Sequence, residues 1–321
     1  MGELINGVYL GGCLDDDSTS TPPQVKLGKS VGLPERVDLR GMCSPVEDQR
    51  TVGSCSANAV VGALEYHLRK NKVSAADLSR LFVFYNARAI QHRENEMHGS
   101  AINLNMVGTM IHGACPEVMW PYQEALVTTR PTEACFAAAG NLVGVNYARV
   151  ENGDPTALKV ALVNGLPVVF GVQIPWDGYA AGARGAITKP PGGWWPRKTT
   201  GGHAILLVGY DDAKNAWLVR NSWGTKYGEG GYFWLDYDGM EFYKMADHFW
   251  LIGAIDGQPG LNMMGPSMEA HLQEVGSRYG LAMEKLAALR QSVRGTIETD
   301  LDRTRQSIRD RLRGPGAGGG Y

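Results

Sequence analysis

The sequence predicts an α+β fold: a mainly helical first half, then a half built on a mostly antiparallel sheet or barrel, with a cleft between them. Two textures carry this expectation. Up to about residue 140, apolar residues recur at steps of three and four, the spacing of helices buried along one face. After Asn141, short runs rich in Val, Ile, Phe, Tyr and Trp are punctuated by Gly, Asp, Asn and Pro, which is strand grammar. Helices and strands segregated along the chain pack as two units, and a site between them is a natural cleft.

Residues 1–33 read as an extension. Leu4 to Leu10 is mildly apolar, and the Asp15–Pro23 stretch, polar and ending in two prolines, cannot form a core element. The compact domain is expected over residues 34–258, starting near Leu33-Pro34. Its first helix follows Asp48-Gln49-Arg50-Thr51-Val52-Gly53-Ser54: Val60, Ala63, Leu64 and Leu68 repeat at helical spacing, so Cys55 is the first helical residue. Open backbone N–H groups and the macrodipole at that end favour a thiolate. A second helix is expected from about Ser74, carrying Leu81, Phe82 and Tyr85. A third covers Ala101 to Ile111, with Ile102, Met106, Val107 and Met110 on one side. Strands are expected at Val143–Val150, Pro167–Ile174, His203–Tyr210, Ala216–Arg220 and Gly231–Tyr237, with one helix among them at Pro155–Val163.

Residues 259–313 change texture again. Leu272, Val275, Tyr279, Ala282, Leu286, Leu289 and Val293 form a drifting apolar stripe that Ile297, Leu301, Ile308 and Leu312 continue. Three readings stand for the helix at about Met268–Arg313: folded back on the domain, self-association or partner binding, or disorder. Residues 314–321 are glycine-rich and read as a flexible tail.

Composition narrows the class. The chain of 321 residues is 44% apolar and 20% charged with a formal net charge of −2, which gives no reason to expect nucleic acid or an acidic membrane as the main partner. No apolar run is long enough to span a bilayer. The first residues lack a basic region followed by an apolar core, so no secretory signal is expected and the compartment stays open. Asn6 stands where a myristoylation signal needs Ser or Thr. Cys13, Cys43, Cys55, Cys115 and Cys135 are too scattered for a disulfide scaffold, and none forms the CxxC pair of a zinc site. An odd count fits a reducing compartment or an optional disulfide.

Chemistry is concentrated at three places. His203 lies in Gly201-Gly202-His203, where the glycines leave room for a substrate or a second residue. The strand it opens turns through Asp211-Asp212-Ala213-Lys214-Asn215 into a second strand that ends at Asn221-Ser222-Trp223-Gly224. A register centred near Asp212 sets His203 opposite Asn221, within reach of a hydrogen bond. An imidazole held by a neutral amide, with an aromatic two positions on to exclude water, suits a general base. Gln49, six residues before Cys55, can donate to an oxyanion beside the Cys55 backbone N–H. Taken singly, each residue has a purely structural reading; in conjunction and in this order they point to a thiol nucleophile with its base. His67, His92, His98, His112, His248 and His271 have no such context.

With these residues in place, the chain resembles the papain-like cysteine peptidases from Leu33-Pro34-Glu35-Arg36-Val37-Asp38-Leu39-Arg40 through Tyr232-Phe233-Trp234 to about Ile255. It most resembles the bacterial branch, through Ser54-Cys55-Ser56-Ala57-Asn58-Ala59. The resemblance implies a two-lobed papain-like fold, helical to about residue 140 and barrel-like after. It implies Cys55 as nucleophile, His203 as base, Asn221 as the group orienting it, and Gln49 in the oxyanion hole. Gly99, Ser100, Gly202 and Trp223 fall on the substrate side of the cleft, Trp223 also shielding the Asn–His bond. Two positions depart from the family pattern: Val52 replaces the cysteine that anchors the active-site loop by a disulfide, and Ser56 replaces an aromatic. The long inhibitory prodomain of many relatives is not expected in this chain either.

The expected activity is hydrolysis of peptide or protein substrates through a thioester, with no metal and no organic cofactor. The rival is a papain-fold peptide-binding or acyl-transfer protein that uses its C-terminal helix for partner binding. Residues 1–33 are expected to restrain the enzyme by lying in its cleft, as in a zymogen; packing on the outside, or disorder, is the alternative.

Overall fold

The computed structural model describes residues 3–5, 8–10, 12–14, 24–25, 32–72, 77–140, 146–150, 153–196, 201–254 and 266–280. The N-terminal region contributes a hairpin, β1 (Glu3–Ile5) and β2 (Val8–Leu10), then β3 (Cys13–Leu14), β4 (Gln24–Val25) and β5 (Arg36–Asp38).

Helix α1 (Cys55–Lys70) starts at the nucleophile candidate, as its spacing predicts, but it is buried from Cys55 to Leu68 rather than along one face. Small residues explain this: Ala57, Ala59, Gly62 and Ala63 let neighbours approach all round, and a side chain at Gly62 would touch Leu206 and Arg220. The polar residues this buries are paired, as such burial requires. Asn58 Nδ2 donates to Ser54 O at 3.0 Å, and Glu65 Oε1 accepts from Leu78 N at 2.7 Å, though burial still pushes Glu65 up to about 7.

Helix α2 (Arg80–Ile90) begins later than the sequence predicts. Leu78 already bridges Pro116 and gives its N–H to Glu65, and the Ser79 hydroxyl caps the helix by accepting from Phe82 N at 3.1 Å. Of the expected first turn, residues 74–76 lie outside the described residues. After β6 (Ser100–Ala101), α3 (Ile102–His112) matches its expected span and stops at Gly113, whose φ of 71° suits glycine. Helix α4 (Glu133–Ala139) closes the helical part, capped by Thr132.

The second half supplies β7 (Asn146–Val150), α5 (Pro155–Val163), β8 (Val168–Val172), α6 (Trp176–Gly182), β9 (Ala186–Ile187), β10 (His203–Asp211), β11 (Ala216–Arg220), β12 (Tyr232–Asp236), α7 (Tyr237–Tyr243), β13 (Lys244–Ala254) and α8 (Pro266–Tyr279). The sheet runs β4-β7-β13-β8-β10-β11-β12-β9, with β5 also paired to β10. Pairing is antiparallel except for β4 on β7 and β9 on β12. One apolar core fills the space between the helices and the sheet; a second lies on its other face with α5 and α7.

Strand β10 organises this half, pairing with β8 through residues 203–207, with β5 through 209–211 and with β11 along its other edge. The hairpin register differs from the expected one. The strands shift between Leu207 and Gly209, where Gly209 packs so tightly on β5 that a Cβ would fall 2.3 Å from Val37 O. Residues 203 and 221 are therefore not backbone partners.

Helix α8 packs on the domain: Met268, Leu272 and Val275 are buried in the first core, and His92 Nε2 meets Tyr279 O at 3.1 Å. The rest of the expected C-terminal helix, from residue 281, and the tail at 314–321 lie outside the described residues. Among the described residues no helix is long and apolar enough to cross a membrane.

Candidate active site

Cys55 and His203 stand at the starts of α1 and β10, the two elements in contact across the lobes. The backbone N–H of Ala204, next to His203, is close enough to the Cys55 sulfur to favour its thiolate. Asn221 follows the last residue of β11, and despite the shifted register its side chain reaches the imidazole: His203 Nε2–H donates to Asn221 Oδ1 at 2.9 Å. The same oxygen accepts the Ser222 N–H at 2.8 Å, which fixes the amide. This tautomer leaves Nδ1 as the basic nitrogen, and Nδ1 is enclosed with no hydrogen-bond partner.

Gln49 is wholly buried and clamped between the lobes. Ser222 Oγ donates to its Oε1 at 2.6 Å, its Nε2 donates to Val52 O at 3.0 Å, and its backbone N–H donates to Ser222 O at 2.8 Å. With Oε1 taken by Ser222, the amide presents N–H groups to the Cys55 turn. That turn is braced by Tyr122, whose hydroxyl donates to Gln49 O at 3.0 Å and lies 2.5 Å from Ser54 Oγ. Val52, where a disulfide was expected to be missing, is 1% exposed and packs in the core. Ser56 joins a polar knot instead: its hydroxyl is 2.8 Å from Ser100 Oγ, and Asn105 Nδ2 donates to both, so α1 is tied to the cleft wall.

Trp223 packs against the imidazole. Its ring stacks on His203 with centroids 4.7 Å apart, and it also meets Tyr179 and Tyr227. Tyr179, from α6, sets its edge against His203 at 5.5 Å. Sequence reasoning missed Tyr179, Tyr122 and Ser222; of these only Ser222, between Asn221 and Trp223, carried a local signal.

The chain's own N-terminal segment lies on Gly99, Ser100 and Gly202. Ser100 N donates to Gly12 O at 2.9 Å, Cys13 N donates to Gly202 O at 3.0 Å, and β3 pairs with β6 in parallel. The fit leaves no space for side chains: a Cβ on Gly12 would fall 2.5 Å from Gly53 O, one on Gly99 2.2 Å from Gly12 O, and one on Gly202 2.5 Å from Cys13 O.

Cys55 and His203 are 0% and 1% exposed. Burial pushes the thiol up to about 12, outweighing the backbone N–H groups of Ala204, Ser56 and Cys55, which favour the thiolate. Burial also pulls His203 down to about 4, against the Asn221 hydrogen bond. The thiolate expected at this helix start is thus disfavoured in the covered site, because desolvation exceeds what the helix end supplies. None of the five cysteines is in a disulfide, and among the described residues no cluster of His, Cys, Asp and Glu could hold a metal ion.

A sequence model of the papain family cysteine proteases matches residues 33–250. The chain belongs to the papain family. This papain-family chain is 29% identical over 230 residues to an uncharacterised peptidase C1-like protein of Acanthamoeba polyphaga mimivirus, covering 68% of this chain and 73% of that protein. It is 29% identical over 209 residues to cathepsin K of Gallus gallus, spanning 63% of this chain and only 59% of the cathepsin. Among solved structures it is similar to xylellain, a cysteine protease from Xylella fastidiosa, with 33% identity, a TM-score of 0.66, and 75% of this chain and 95% of that chain covered. It is also similar to the ragweed pollen allergen Amb a 11 in its proform, with 25% identity, a TM-score of 0.57, and coverage of 73% and 71%. The fold is the two-lobed papain-like α+β fold, and the chain is a papain-like cysteine peptidase.

Proposed function

We propose that this peptidase cleaves peptide bonds through a Cys55–His203–Asn221 triad and a thioester intermediate, and that residues 12–14 hold it inactive until they leave the cleft. The observation that carries the triad is the 2.9 Å His203–Asn221 bond, with the Cys55 thiol near the N–H of Ala204, the next residue after His203. With the cleft open and hydrated, His203 Nδ1 takes the Cys55 proton and the thiolate attacks the scissile carbonyl. Gln49 Nε2 and the Cys55 backbone N–H stabilise the oxyanion; His203 then protonates the leaving amine and draws a proton from water, which hydrolyses the thioester. Asn221 holds the ring without neutralising its charge, so the imidazolium stays available to the thiolate. Gly99, Ser100 and Gly202 offer backbone groups to the substrate, as they do to residues 12–14.

The restraint is supported by the backbone pairing of Gly12 and Cys13 with both cleft walls, and by the neutral thiol and imidazole that burial enforces. The likeness to a proform among solved structures supports a zymogen. The Ser54–Ala59 segment and the 33% identity to the Xylella protease support the bacterial branch.

One comparison tests both parts. The full chain and a version starting at Leu33 are assayed on a fluorogenic peptide and labelled with a thiol-specific epoxide. Faster turnover and faster Cys55 labelling after truncation, reversed by adding the free segment, is the expected result. Equal rates in both would remove the restraint, and hydrolysis by Cys55→Ala would remove the triad.

A further inference from the structure

Two cysteines have no part in the site described so far. Cys115 lies between α3 and α4, and Cys135 sits in the first turn of α4. They are 0% and 1% exposed in the same apolar core, and Cys135 is close enough to act on the Cys115 thiol: its sulfur reaches Met119 O, in the turn that Met119 N closes on Pro116 O at 3.0 Å beside Cys115. Each is fixed from outside the pair. The Cys115 carbonyl accepts the Ser79 N–H at 2.8 Å, while Cys135 Sγ lies 3.2 Å from Thr132 Oγ1 and 3.6 Å from Met119 O.

The segment they bracket reaches the catalytic turn. Ser79 Oγ donates to Trp120 O at 2.6 Å, and Tyr122 N donates to Glu117 Oε1 at 2.5 Å. From there the Tyr122 hydroxyl holds Gln49 O and Ser54 Oγ, at the two ends of the turn that delivers Cys55. Val52 leaves that turn without a disulfide of its own.

We propose that Cys115 and Cys135 are a disulfide site: under oxidising conditions they join, closing the 116–134 loop and, through Tyr122, bracing the Gln49–Ser54 turn. The oxidant is a small disulfide such as oxidised glutathione. One cysteine thiolate attacks it, giving a protein–glutathione mixed disulfide and one glutathione; the second protein thiolate then displaces the other glutathione, so two electrons and two protons leave on two thiols. Burial, and Cys135 beside it, push Cys115 up to about 12, so exchange in the folded protein is slow and the bridge closes as the chain folds. The inference is independent of the restraint by residues 12–14.

The test uses full-length Cys55→Ala protein, which removes the nucleophile from the exchange, refolded in glutathione buffers from reducing to oxidising. The thiols are then alkylated and the bridges mapped by mass spectrometry. A Cys115–Cys135 cross-linked peptide is expected, with a melting temperature about 5–10 °C above that of the reduced protein, because the bridge closes a loop of roughly twenty residues. Amide exchange at residues 49–54 should slow as the bridge forms. Adding Cys135→Ala should abolish the reduced-to-oxidised difference. Alkylatable thiols at both positions in every buffer, or a different pairing, would overturn the site from the wild-type pair alone, whether or not the variant folds. A bridge with unchanged exchange at 49–54 would overturn the bracing.

Discussion

Tyr179 is fully enclosed, yet its hydroxyl has no hydrogen-bond partner, although the ring contacts His203 and Trp223. An unsatisfied buried hydroxyl costs about 1 kcal/mol or more. Tyr179→Phe, which keeps the ring, should therefore raise the melting temperature by about 2–4 °C and leave peptide turnover intact. A lower melting temperature would reveal a partner for the hydroxyl. Gln49→Ala should cut kcat by about 10²–10³, the usual loss for one oxyanion donor. Ser222→Ala should cost less, since Ser222 only aims the amide. His203→Ala should be nearly as severe as Cys55→Ala, and Asn221→Ala milder, because it orients the base but moves no proton. The four proposed catalytic residues were legible because each announces itself locally: a cysteine opening a periodic helix, a histidine and an asparagine at one end of a hairpin, a glutamine just upstream. Tyr122 and Tyr179 were not. Tyr122 acts on Ser54 from 68 residues away, a pairing only the tertiary fold makes.

At the scale of elements, the segment around β3 is held by its backbone, and the closest approach is at Gly12. Gly12→Val would drive a side chain into Gly53 O, so it should loosen β3 from the cleft and raise the initial rate of the full chain on a small peptide. A rate unchanged from wild type would mean that β3 does not limit access. Helix α2 offers a plainer test: Ser79→Ala removes both the cap on Phe82 N and the bond to Trp120 O, and should cost about 1–2 kcal/mol in chemical denaturation. The α+β order and strands β7, β8, β10, β11 and β12 were readable from pattern, whereas β13 between β7 and β8, together with three further features, was not. The hairpin register needed Gly209 and β5, which press the bulge into β10 from outside the hairpin. The start of α2 was set by Glu65 capturing the Leu78 N–H, a tertiary bond that overrides local propensity. Helices α6 and α7 are short and glycine-containing, and so give no periodic signal.

For the whole molecule, protons and the covering segment are linked. On the proposed restraint, opening rehydrates His203, which burial holds at about 4 against an ordinary 6.5. Between these values the open or unfolded form binds a proton that the covered form excludes, so the covered form loses stability as pH falls from 6.5 toward 4. His67, also lowered to about 4, adds to the acid sensitivity of unfolding but not of opening. Accordingly, the rate of the full chain relative to the version starting at Leu33 should climb toward one as pH drops through that window; Glu65, held at about 7, opposes the histidines in global unfolding, so the rate ratio is the quantity to read. A ratio flat in pH would sink the linkage. Anchorage has a further consequence. Strand β3 is paired with β6 while β4 is stitched to β7 at the sheet edge, so the same segment is fastened at two separate places. While the chain between them is whole, β3 is present at its site at an effective concentration of about millimolar. One cut within residues 15–23 turns it into an ordinary solute, diluted to the concentration of the enzyme itself. Switching on would then act as a ratchet: a single scission suffices, and at the enzyme's own concentration the released piece rebinds too seldom to undo it, whereas an excess of added segment would.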